Sequence, residues 1–295
     1  MKIIISFLVC IILVLSACKD DKDFDEYNSS PLLNESTILW LDIPVPSSVP
    51  IQSQTHPSII YSKNKWNGYR YWLATTPYPK ANAYFENTCI YYSNSLGSSD
   101  SFIPINQNPI TKTPINGFNS DPDLYFRNGY LYCILRSGVY TANGNTYQIT
   151  IQRSLNGNNW STPIEILNSS ETDGKDLLSP SVIVNDKGIM VYLLNGDIHN
   201  TSSRDARNTF FERILYKETD FRNEKEIKKG YFLNSDILKI YAWHFDLFEY
   251  DNKLFMLFCG KDYKQEDYYR YNIYMAVSYD YLNFKIYETP ILTNR

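Results

Sequence analysis

Four stretches of this chain read as the same apolar hairpin, and that repetition constrains the fold more than any other feature. The clearest copy runs from Ser120-Asp121-Pro122-Asp123 through Leu124-Tyr125-Phe126-Arg127, turns at Asn128-Gly129 and returns through Tyr130-Leu131-Tyr132-Cys133 to Arg136. Asn-Gly supplies two residues that tolerate positive φ, and the flanks are rich in Tyr, Leu, Ile and Phe, which fit a half-buried pleated surface. The relatives open at His56-Pro57-Ser58, Ser179-Pro180-Ser181 and Trp243-His244-Phe245-Asp246. Aligned on Pro57, Pro122, Pro180 and Phe245, they recur about every sixty residues.

Each copy is followed by further strand-like runs: Asn87 to Ser93, Tyr147 to Ser154 with Pro163 to Leu167, Arg213 to Lys217, and Asn272 to Ser278 with Pro290-Ile291-Leu292. Four strands per period predict an all-β fold, a β-propeller of four-stranded antiparallel blades at about 56–110, 120–168, 178–235 and 243–295. No helix of ordinary length is expected, and Glu224 to Lys229 reads as an exposed hairpin end. Two polar columns run through the alignment: His56, Asp121, Ser179, His244 and, two residues on, Ser58, Asp123, Ser181, Asp246. Side chains two apart on a strand face the same side, so both columns are expected to point at one place.

Composition narrows the classes of function. Hydrophobic residues make up 43% and charged residues 20%, ordinary for a folded domain, but 26 Tyr and 5 Trp leave many rings available for stacking on sugars. A net charge of −4 with no basic run argues against a nucleic-acid partner. There is no P-loop, dinucleotide fingerprint, His-Glu-x-x-His or Cys-x-x-Cys, so no cofactor is expected. A funnel calcium ion held by Asp121, Asp123 and Asp246 is the one metal considered. Cys89, Cys133 and Cys259, widely spaced in apolar runs, read as small buried hydrophobes, with one disulfide left open.

Residues 1–17 read as a lipoprotein signal: Lys2, an apolar run from Ile3 to Leu15, then Ser16-Ala17-Cys18. Leu15-Ser16-Ala17-Cys18 resembles a bacterial lipobox, which implies an acylated (palmitate-type) Cys18 and membrane attachment through lipid alone. The alternative is an ordinary secretory signal or an uncleaved anchor, which the run, short for spanning a bilayer, disfavours. Removal of Lys2 with the signal takes the net charge from −4 to −5. Residues 18–55 then form an acidic tether and lead-in, with one short strand at Ile38-Leu39-Trp40-Leu41. The acidic run Lys19 to Glu26 resembles the tag of outer-membrane, surface-facing lipoproteins; a periplasmic spacer is the alternative.

The segments at residues 56–61, 66–72, 86–87, 120–123, 179–181 and 243–246 together resemble the five-bladed propellers of glycoside hydrolase families 43, 32 and 117. The resemblance implies five blades, and the chain reaches residue 295 where a fifth would begin, so truncation is expected, with a differently closed ring as the alternative. It implies a carbohydrate partner and hydrolysis between two carboxyl groups on inner strands. Carried over by position, Asp121 falls on an acidic residue of the second blade, whereas the first-blade base is replaced by His56 and the third-blade acid by Ser179. The catalytic set expected on this basis is Asp121 and Asp246, with Glu86 or His244 as proton donor, because agar-sugar hydrolases of the group use a His as acid. Substrate contacts are expected from His56, Asp123, Arg136, Ser179 and Trp243. Blander roles stand beside these: Asp121 as a turn residue before Pro122, the histidines as buried hydrogen-bonding groups, Arg136 as a partner of Asp123, and Trp66 and Trp72 as packing. A non-catalytic glycan-binding lipoprotein is the alternative function.

Overall fold

The structure is a computed structural model that describes residues 3–4, 40–41, 43–46, 48–49, 53–96, 102–172, 176–195, 210–216, 221, 225–262 and 271–293. The chain divides into two compact units, one spanning Glu35–Asn168 and the other Ser169–Arg295. The polar insertion after Asn195, and Cys18 with its tether, lie outside the described residues. Among those described, the lead-in strand is Trp40–Leu41, paired with Ile3–Ile4.

Unit 1 holds two antiparallel four-stranded blades. The first is β1 (Gln54–Trp66), β2 (Tyr69–Pro77), β3 (Cys89–Ser93) and β4 (Ile103–Pro104). The second is β5 (Gly117–Arg127), β6 (Tyr130–Thr141), β7 (Gly144–Ser154) and β8 (Ile164–Asn168). The Asn67-Gly68 and Asn128-Gly129 pairs turn with φ positive at both residues, as the right-handed strand twist requires of a two-residue hairpin. Alternation along β2 sends Trp72 and Ala74 to one face, where they pack with Leu124, Leu131, Cys133 and Leu135 of the second blade. It sends Leu73 to the other face, beside Cys89 and Tyr91. Trp72 is buried and Trp66 meets it edge-on at 5.0 Å, so both indoles serve packing. Cys89, Cys133 and Cys259 are free thiols.

Unit 2 repeats the pattern. Its first meander is β9 (Leu178–Asn185), β10 (Gly188–Asn195), β11 (Phe210–Tyr216) and β12 (Lys225–Phe232); its second is β13 (Ile240–Tyr250), β14 (Lys253–Asp262), β15 (Asn272–Ser278) and β16 (Asn283–Ile286). The two meanders join into one eight-stranded sheet, because β12 and β16 pair in parallel at Tyr231↔Asn283 and Phe232↔Phe284. A single helical turn, Ser235–Leu238, leads to β13. The expected hairpin end at 224–229 is instead largely strand: β12 pairs along β11, with Ile227 opposite Ile214 and Glu226 3.7 Å from Arg213. Its charges had masked a strand in which Lys228 and Lys229, on opposite faces, are both exposed.

One irregularity recurs in all four inner strands. β1, β5, β9 and β13 each carry one extra residue against their neighbour, a β-bulge, between Thr55/Ser58, Ser120/Asp123, Leu178/Ser181 and Ala242/Phe245. Pro57, Pro122 and Pro180 sit inside three of these bulges, where no ladder donor is needed. The fourth copy has Phe245 in place of proline; Phe245 joins the ladder opposite Phe258, so the bulge moves back onto Trp243-His244.

Candidate functional site

The bulges set the first polar column. His56, Asp121 and Ser179 all have left-handed backbone, with φ of 48°, 50° and 50°. That region is unfavourable for residues with a Cβ and turns a side chain away from regular alternation. In unit 1 the result is a tight ionisable group. His56 Nδ1 lies 2.9 Å from Asp121 Oδ1 and 4.0 Å from Glu86 Oε1.

Glu86 reaches this point from a loop. A short 3₁₀ turn, Ala83–Phe85, is capped by Asn82 and ends on the Glu86 amide, which donates to the Ala83 carbonyl. The loop is then stitched to the start of β5: Asn119 N–H donates to Glu86 O at 2.8 Å, and Asn119 Nδ2 donates to Asn87 Oδ1 at 3.3 Å. Glu86, Asp121 and Arg136 are buried. Burial and then the Asp121 charge raise the Glu86 carboxyl from 4.5 to about 7, against the opposing pull of His56 and Arg136. For His56, burial lowers the value, but the Asp121 charge and hydrogen bond, with Glu86, outweigh it and leave it raised.

Arg136 stands on β6 opposite Ser120, its guanidinium 4.3 Å from the Tyr147 ring centre and 5.1 Å from that of Phe118. It is thereby held by rings, in the field of Glu86 and His56. Asp123 is engaged elsewhere. Its Oδ1 accepts from Ser58 Oγ at 2.6 Å and from the Leu124 amide at 2.9 Å, while that amide also reaches Ser58 Oγ at 3.0 Å.

Unit 2 reproduces this latch. Asp246 Oδ1 accepts from Ser181 Oγ at 3.0 Å and from the Leu247 amide at 2.8 Å, and Leu247 N–H reaches Ser181 Oγ at 3.1 Å. The second column therefore alternates Ser and Asp because each pair closes one hydrogen-bonded clasp between inner strands. In the first column of unit 2, Ser179 Oγ hydrogen-bonds His244 Nδ1, and the Trp243 ring stands perpendicular to His244 at 5.3 Å. Of the three carboxylates considered for calcium, Asp121 pairs with His56, while Asp123 and Asp246 each use one oxygen to accept two hydrogen bonds. Those surroundings suit hydrogen bonding better than a hard cation.

The structure thus gathers Glu86, Asp121, His56 and Arg136 in unit 1, sets Ser179, His244 and Trp243 together in unit 2, and places Asp123 and Asp246 in clasps. Sequence reading missed the ring clamp of Phe118 and Tyr147 on Arg136. A signal existed in Gly138, a glycine inside a strand: a Cβ there would lie 2.5 Å from the Phe118 ring.

No protein-family model and no curated protein sequence matches this chain. Solved structures do. The chain is similar to an N-acetylgalactosamine deacetylase from F. plautii in complex with blood group B trisaccharide, with a TM-score of 0.66 and 19% identity over 86% of this chain and 75% of that one. It is similar to a thermostable family-43 glycoside hydrolase, with a TM-score of 0.54 and 14% identity over 82% and 74% of the two chains. It is also similar to a Bombyx mori family-32 β-fructofuranosidase, with a TM-score of 0.56 and 15% identity over 79% of this chain and 48% of that one. These likenesses show the fold: a β-propeller of four-stranded antiparallel blades.

Proposed function

We propose that this protein is a carbohydrate-active hydrolase in which Glu86 is the proton-transfer group and Asp121 and His56 its charged partners. The observation that carries the reading is the buried Glu86 carboxyl, held at about 7 beside the Asp121–His56 pair. A group poised near neutral pH is suited both to give and to take a proton, and two carboxyls whose surroundings separate their protonation divide acid and base roles. Asp121, paired with His56, serves as the ionised member, and Arg136 stabilises the negative charge that develops as a bond breaks. Asp246 is assigned to its clasp rather than to proton transfer. The carbohydrate character is supported by the similar structures, two of them glycoside hydrolases and one a sugar deacetylase bound to a trisaccharide.

Glycosidic bond cleavage is the first reading. Both carboxyls converge on one imidazole nitrogen, so they share one flank instead of straddling a bond, and this favours as second reading the hydrolysis of a sugar N-acetyl group, where one group activates water and returns the proton to the leaving nitrogen. A non-catalytic glycan-binding protein is the third, with the hydrogen-bonded Ser179–His244 pair and the neighbouring Trp243 ring as its polar and aromatic contacts. The protein is further proposed to be anchored to the outer membrane through lipid on Cys18.

Screening the protein from residue 28 onward against a glycan panel, scoring released sugar, released acetate and binding, tests these readings. Glu86→Gln and Asp121→Asn keep shape and remove the proton chemistry, so each is expected to lower turnover of the best substrate by about a hundredfold or more. Parent-like turnover in both variants would overturn the assignment; binding without turnover in the parent would make the protein a lectin-like module.

A further inference from the structure

The exposed edge of the Arg136 clamp carries a residue with no structural duty in the core. Tyr140, four residues along β6 from Arg136, is 43% exposed, and its ring centre lies 5.7 Å from that of Phe118. Phe118 and Tyr147 are buried and lie against Arg136, and Tyr140, tilted by 49° to Phe118, is the exposed ring of this cluster. The Tyr140 amide donates to Asn116 O at 2.8 Å, which pins the backbone that displays the ring. Its phenol lies within the electrostatic reach of both Glu86 and Arg136. The ring therefore stands against Phe118 at the start of β5, whose Asn119 amide donates to the Glu86 carbonyl, and it is open to solvent where Glu86 itself is buried.

From this geometry we infer that Tyr140 is a sugar-stacking platform for the glycan residue next to the one whose bond is hydrolysed, so that the substrate is an oligosaccharide rather than a single sugar. This rests on the proposed hydrolase site and names its substrate class. The reacting residue must reach the buried carboxyls; a ring at the rim meets its neighbour. A pyranose offers a face of C–H bonds to an aromatic plane, and Tyr presents such a plane with little loss of conformational freedom.

The test measures binding by calorimetry in the Glu86→Gln background, which separates recognition from turnover. The probes are the best oligosaccharide from the panel and its terminal monosaccharide as a methyl glycoside. Tyr140→Ala is expected to weaken oligosaccharide binding roughly five- to tenfold while leaving monosaccharide binding unchanged. Tyr140→Phe, which keeps the plane and loses the hydroxyl, should stay within about twofold of the parent. Tyr61→Ala, a change at a residue of equal exposure (42%) near the opposite end of β1, should have no effect. Parent-like oligosaccharide binding by Tyr140→Ala, equal losses for both probes, or a loss in Tyr140→Phe as large as in Tyr140→Ala would each overturn the inference and leave the hydrolase reading standing if the parent turns over. Failure of the parent to bind any glycan would overturn both.

Discussion

Glu86 is where burial and chemistry meet at the scale of one residue. Because its folded value of about 7 stands above the ordinary 4.5, the folded chain binds the Glu86 proton more tightly than the unfolded chain does. The associated stability is fully present below pH 4.5 and is lost as pH rises through 7. Integrated over that window the loss is at most about 3 kcal/mol. His56, also raised, tilts stability the same way: its contribution is present below its unfolded value and fades as pH rises through the folded one. Glu86→Gln mimics the protonated acid at every pH. Denaturant unfolding should therefore find this variant equal to the parent near pH 4 and more stable than it at pH 8. A variant that is less stable at pH 8 would show that the ionised carboxylate, not the acid, is what the fold accommodates.

Between elements, the clasp is the unit that matters. Ser58 and Asp123 lie 65 residues apart, as do Ser181 and Asp246, and each pair closes the same three hydrogen bonds, two of which tie one inner strand to the other. The copies differ in their surroundings: Asp123 is buried, whereas Asp246 keeps more of its surface in solvent even though partial burial of its carboxyl raises its pKa. Ser58→Ala would leave a buried carboxylate short of a donor and should cost about 1–3 kcal/mol. Ser181→Ala should cost less, because water replaces the hydroxyl at Asp246. Thermal or denaturant unfolding of the two variants checks the order, and a larger loss from Ser181→Ala would contradict it. Packing between blades is as specific as this bonding. Gly157, at a φ of 78°, lies flat on Trp72, where a Cβ would approach the indole to 2.0 Å.

For the molecule as a whole, the proposed address rests on the first eighteen residues. Acylation at Cys18 would hold the blades to a membrane by lipid alone, and no described helix is long and apolar enough to cross one. Cys18→Ser should move the protein from the membrane fraction to the soluble fraction, followed by immunoblot of fractionated cells. Retention in the membrane would reject the lipid anchor.

The amino-acid sequence alone determined the strand-turn grammar: Asn-Gly turns, alternating apolar positions and the spacing of Pro57, Pro122 and Pro180 are local signals, and they specify inner hairpins of propeller blades. It also placed Asp121 and His56 on a short list, since polar residues recurring at one edge of an apolar repeat have few reasons to be there; Glu86 lies outside that repeat and joined the list only through the resemblance to the glycoside hydrolase propellers. Tertiary structure decided how the listed residues divide the work. Alternation puts His56 and Ser58 in adjacent columns without saying that a bulge turns one towards Asp121 while the other clasps Asp123. Partner choice across 65 residues depends on how inner strands pack, so no spacing rule brings Ser58 to Asp123 or Ser181 to Asp246. The protonation of Glu86 is furthest from the sequence, because it depends on lost water and on charges that approach only through space.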